Sequence, residues 1–111
     1  MKLSELDADE TLALVALIKA IVLTDRNVSA EEAEALPPLI DQIGEERYRQ
    51  SYRVAADRLG DDVSLKAFLG EIHRPEARRL IYDTILRLAR ADGLHPDEGR
   101  LLDWVYANWK I

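Results

Sequence analysis

Asp92, Asp97 and Glu98 place three carboxylates within the short segment Asp92-Gly93-Leu94-His95-Pro96-Asp97-Glu98. Grouped oxygen donors of this kind suit hard cations, calcium or magnesium, which need several carboxylate or carbonyl ligands. One such corner holds too few. A complete set draws on acids elsewhere, and Asp25, Glu31 and Glu32 are the candidates, in Asp25-Arg26-Asn27-Val28-Ser29-Ala30-Glu31-Glu32. The favoured reading of these acids is structural. Asp92 caps a corner, Gly93 takes the left-handed turn, and Asp97 and Glu98 sit at the positive end of a helix dipole. Weak cation binding at Asp92, Asp97, Glu98, Asp25 and Glu32 is the second reading.

The segment is not an EF-hand. With Gly93 at loop position six, the ligand positions one, three, five and twelve fall on Leu88, Arg90, Asp92 and Gly99, and only Asp92 is an acid. Zinc fits less well than calcium or magnesium. The chain has no cysteine, and its two histidines, His73 and His95, lie far apart. Ser4, Ser29, Ser51 and Ser64 carry no nucleophile motif. Acids at helix starts do not identify glycosidase chemistry. These readings favour a non-enzymatic protein, with a small metal- or carboxylate-dependent hydrolase as the alternative.

Helices position these residues. The stretch Leu12–Leu23 is apolar except for Lys19, which describes a helix buried on nearly every side and too short to span a bilayer. It starts after Asp7 or Asp9 and runs to about Thr24. Ser29 and Glu32 have capping-box spacing at the start of a second helix. Pro37-Pro38 predicts a kink or break in it. Glu45–Leu59 reads as a third helix, with Tyr48, Tyr52, Ala55, Ala56 and Leu59 on one side, and Gly60 ends it. Asp61-Asp62 caps a short fourth, carrying Val63, Leu65, Phe68, Leu69 and Ile72. Pro75 opens a fifth that runs to about Ala91, with Leu80, Ile81, Thr84, Ile85 and Leu88 inward. Pro96 opens a sixth carrying Leu101, Leu102, Val105, Tyr106 and Trp109.

The first and last pairs of helices are related. A shift of 66 residues brings Val15 onto Ile81, Val22 onto Leu88, Val28 onto Leu94, Glu32 onto Glu98 and Leu36 onto Leu102. Each copy is an apolar helix, a polar corner and a second helix opening with acids. Neither copy can bury its apolar face alone, so the two must pack together. The expected fold is all-α: one compact domain over residues 1–111, with about six helices, two quasi-repeated helix-corner-helix units and two middle helices joining them.

The second corner resembles the signature of the TerB-like superfamily, which includes the tellurite-resistance protein TerB and the N-terminal domain of DnaJ-like membrane co-chaperones. Its pattern is an apolar helix, then A-x-A-D-G-x-[ILV]-x-x-x-E, then an amphipathic helix. Ala89, Ala91, Asp92 and Gly93 match it, Leu94 takes the usual spacer position, and Glu98 lies near the glutamate. The first copy departs from the pattern, with Arg26 where Asp92 would be and Asn27 in place of the glycine. The resemblance implies a quasi-twofold helical domain, a divalent-cation role for the corner acids, and work in resistance to tellurite and other stresses or in membrane-associated assemblies. Binding should be weak, since Arg26 replaces an acid and Arg90 adds repulsion.

Composition narrows the partners. A hydrophobic fraction of 48% over 111 residues supports one core, and a net charge of −6 opposes non-specific nucleic-acid binding. The start, MKLSELDADE, lacks the basic-then-apolar layout of an export signal, so a cytoplasmic location is expected. A protein partner is expected, and peripheral membrane association remains open. Arg47, Arg49, Arg53 and Arg58, with Arg78, Arg79, Arg87 and Arg90, could form a basic face for an acidic partner or lipid headgroup. The simpler reading is solvated faces paired with local acids. Trp109 reads as core, and Trp104 as the better partner contact.

The corner itself is testable. Gly93→Val should lower the thermal midpoint equally with and without calcium or magnesium, because a β-branched residue fits a positive-φ position poorly. Calorimetric melting in both conditions checks this, and an unchanged midpoint would remove the left-handed turn.

Overall fold

The computed structural model describes residues 1–22, 30–90 and 96–111, with residues 22, 30–35 and 96–98 described in backbone only. A short 3-10 turn, Leu3–Glu5, precedes α1 (Ala8–Leu17), which continues into a π-helical turn, Ile18–Val22. Then follow α2 (Ala30–Ile43), α3 (Glu45–Arg58), α4 (Asp62–Leu69), α5 (Pro75–Arg90) and α6 (Pro96–Trp109). All regular structure among the described residues is helical, as the periodicity predicts.

Helix α1 is the hub. Every residue from Ala13 to Ile18 is buried, so the helix has no solvent face along that stretch. Such a segment is stable only when wrapped on all sides. It packs against α3 most extensively, and also against α5 and α4. Ala13 on α1 and Ala55 on α3 are both fully buried, and small side chains let two helices approach closely. The repeat predicts α1 and α5 as the central pair. They do touch, and α5 also packs on α2, α6 and the π turn, but α3 is the larger neighbour of α1.

Asp7, not Asp9, is the N-cap of α1. Its carboxylate accepts from the Glu10 amide at 2.8 Å, and the Asp7 amide donates to Glu10 Oε1 at 2.9 Å, a complete capping box. Helix α2 stays helical through Pro37 and Pro38, so the predicted break does not occur. Both prolines are exposed, which puts the missing amides where lost hydrogen bonds cost least. On the inner side Leu36, Leu39 and Ile43 join the core and hold both halves of the helix against it. A single residue, Gly44, links α2 to α3 with φ of 101°, a left-handed conformation that favours glycine.

The inward faces of the remaining helices follow the sequence, with three exceptions. Ile81, Thr84, Ile85 and Leu88 of α5 are buried, as are Leu65, Leu69, Leu102 and Val105. Ala56 of α3 is exposed. Val63 is 76% exposed, because it lies in the first turn of α4, outside its buried stripe of Leu65 and Leu69. Tyr106 is 52% exposed and rests its ring on Tyr82, with centroids 5.7 Å apart. Trp109 is core, as expected, and its indole donates to the Leu69 carbonyl at 2.8 Å.

Among the described residues one charged group is buried in this apolar setting, in addition to the threonines Thr11 and Thr84. Glu10 is 2% exposed and is paired with Arg74, which lies just before α5. Arg74 Nε donates to Glu10 Oε2 at 2.7 Å, and Nη2 donates to Oε1. The same Nη2 reaches the Glu5 carbonyl at 3.4 Å. On the other flank Arg47 of α3 donates to the Leu6 carbonyl at 2.8 Å and to Thr11 Oγ1 at 2.7 Å. Two arginines from distant parts of the chain therefore fasten the N-terminal segment to the bundle. The hydrogen bond from Arg74 is the main cause holding the Glu10 carboxyl below its ordinary value, against burial, which raises it.

Two tests follow from this packing. Because the folded pKa of Glu10 is lowered, its stabilisation is fully present above the ordinary value of 4.5 and is lost as pH falls through the lowered folded value. Wild type should therefore exceed Glu10→Gln in urea midpoint at pH 7, and the gap should close on acidification. A gap independent of pH would refute the ion pair as its source. Trp109→Phe should cost about 0.5–1.5 kcal/mol by chemical denaturation, since one hydrogen bond is lost while the Leu69 carbonyl keeps the Ile72 amide at 3.3 Å.

Candidate functional site

Three of the acids singled out in the sequence fall at the starts of described helices. Glu32 is the third residue of α2 as described, and Asp97 and Glu98 follow Pro96 at the start of α6. Their side chains, and all of Asp25 and Asp92, lie outside the described residues. The Ser29 capping box, the Asn27 and Gly93 turns and the placement of His95 lie outside them too. Among the described residues no three His, Asp or Glu side chains come together as a metal site.

The elements flanking the two corners do meet. A pocket of about 460 Å³ is lined by Ala16, Lys19 and Ala20, on the path into the first corner, and by Leu101, on the path out of the second. The π turn Ile18–Val22 also packs against α5, the helix that leads into the second corner. Asp61 and Asp62 open onto the same pocket from the start of α4. These two acids were legible only as caps, and their meeting with Lys19 and Leu101 at this pocket depends on the packing of α4 against α1.

Each of the two has a local task. Asp61 accepts from the Ser64 amide at 3.0 Å as the N-cap of α4. The Ser64 side chain, then its amide, hold the Asp61 carboxyl below its ordinary value. Asp62 pairs with Lys66 one turn on, at 3.0 Å. The Lys66 ammonium also lies 5.3 Å from the centre of the Trp104 ring. Trp104 is half-buried, so the expectation that it is partly exposed holds, with a cation over its face.

Four of the eight arginines singled out in the sequence are committed to contacts within the fold. Arg47 is committed to the N-terminal segment. Arg78 donates to the Ile72 carbonyl at 2.5 Å and stacks against Trp109. Arg49 pairs with Glu45 at 3.2 Å, and Arg79 reaches Asp83 at 3.9 Å. Local pairing and clipping account for these four, in line with the simpler sequence reading. The pair Glu10–Arg74 had a partial signal, since Asp7-x-x-Glu10 has capping-box spacing. Nothing local points Glu10 to a residue 64 positions away.

No described helix is long and apolar enough to cross a membrane. No curated protein and no solved structure matches the chain. The family model described as tellurite resistance protein TerB matches residues 11–108, from the second turn of α1 to the last turn of α6, taking in both corners and every helix between them. The chain therefore belongs to the TerB family.

Proposed function

We propose that the protein is a non-enzymatic interaction and stress-response module of the tellurite-resistance type, which binds a protein partner in the cytoplasm and holds a divalent cation weakly at its acidic corners. The observation that carries the cation reading is the shared pocket, with Lys19 and Ala20 on one side and Leu101 on the other. Residues flanking both corners line it, which supports a reading in which acids from the two repeats share one ion. Asp92, Asp97 and Glu98 would be the main donors, with Asp25 and Glu32 completing the set.

The donor chemistry fits calcium or magnesium, since all five are carboxylates. Asp61 and Asp62 add negative charge nearby, although both already serve α4. Lys19 on the same pocket and Arg26 in the first corner work against tight binding. The cation would neutralise acids that otherwise repel one another and so rigidify the corners that a partner meets.

Calorimetric titration with calcium and magnesium is the direct test. Heat and a thermal shift at millimolar cation are expected, and both should disappear in Asp92→Ala. Without cation that change should cost only a cap, about 0.5–2 kcal/mol. No heat and no shift would end the cation reading. Robust hydrolase turnover abolished by Asp92→Asn would replace the module with an enzyme.

A further inference from the structure

A second cavity lies on a different part of the bundle, between the N-terminal segment, α2 and α5, with a volume of about 420 Å³. That is within the range of small-molecule sites, about 300–1,000 Å³. Its floor is buried: Leu88 and Thr84 of α5 line it, each 3% exposed. Leu39 of α2 and Leu80 of α5 extend the apolar wall. Its rim carries Lys2 and Arg87, both exposed.

The charge at this rim runs against the rest of the molecule. The chain has 21 acids to 15 lysines and arginines, yet no carboxylate is among the described residues lining this cavity. Arg87 is not in an ion pair among the described residues. Its one side-chain hydrogen bond among the described residues is a long one, 3.5 Å from Nε to the Asp83 carbonyl of its own helix. The guanidinium fork remains available for a planar anion, which it can hold through two parallel hydrogen bonds.

We propose that this cavity binds an amphipathic monocarboxylate of the medium-chain fatty-acid type. The chain would lie along Leu39, Leu80 and Leu88, and the carboxylate would meet Arg87 and Lys2 at the rim. A single charge is favoured over a polyanion, because the net charge of −6 repels multiply charged ligands over long range. The apolar wall then supplies the affinity that two rim cations alone cannot.

The test is calorimetric titration of the full chain with octanoate, decanoate, decanol and inorganic phosphate, each below any micellar concentration. Affinity should rise about 4-fold for each methylene added, the effect of about 0.8 kcal/mol per buried CH₂. Arg87→Gln should weaken decanoate about 10-fold, as expected for loss of a charge-assisted hydrogen bond, and leave decanol unchanged. Arg53→Gln, an exposed change on α3, should alter neither. Four results would overturn the proposal: no binding of decanoate, no dependence on chain length, equal loss in both arginine variants, or phosphate binding as tightly as decanoate.

Discussion

The structure depends on the burial of α1. From Ala13 to Ile18 this helix exposes almost nothing to water, so it can exist as a helix only if other elements surround it. That requirement explains the architecture more directly than the internal repeat does. The repeat pairs α1 with α5, but two helices cannot cover a helix that is apolar all round. The middle helices complete the wrapping, with α3 making the larger contact and α4 a smaller one. They are structural members of the core and more than a link between two related halves.

Burial alone is non-directional, and directed polar contacts set how the N-terminal segment seats on the bundle. Glu10 is charged within a buried setting, which is tolerable only with good partners. Arg74 supplies them from one side, while the Asp7 amide completes the first turn of α1. Arg47 meets the neighbouring Leu6 carbonyl and Thr11 from the other side. Each arginine keeps part of its side chain near solvent, which limits the desolvation cost of the arrangement. The same segment forms one wall of the cavity beside α2 and α5, so the polar clip also shapes that opening.

The acidic balance of the chain is spread unevenly over these elements. Carboxylates gather at helix starts, where the dipole and free amides favour them, as at Asp7 and Asp61. Arginines gather on α3 and α5, where Arg49 and Arg79 pair with acids of their own helix. The described lining of the proposed carboxylate site carries Lys2 and Arg87 and no acid, whereas the pocket beside the proposed cation site carries Asp61 and Asp62 together with Lys19. The two sites lie on different parts of the molecule and carry opposite preferences, so occupancy of one need not oppose the other.

Much of this fold was legible in the residues. A run such as Leu12–Leu23 has only one low-energy environment. Proline and glycine mark boundaries through backbone geometry alone, so the starts of α5 and α6 and the end of α3 could be read locally. The ADG corner and the 66-residue repeat carried the family resemblance, which the match over residues 11–108 bears out. Other features were decided by neighbours in space. Pro37 and Pro38 stay within α2 because the core holds Leu36, Leu39 and Ile43 on either side of them. Tyr106 faces outward despite its apolar character because Val105 and Trp109 already occupy the buried side of α6. The candidate ligands were visible as acids, but the meeting of Lys19, Leu101 and Asp61 at one pocket was not. Local sequence specifies backbone preference and the polarity of a face. Which faces meet is settled only when all helices compete for the same core.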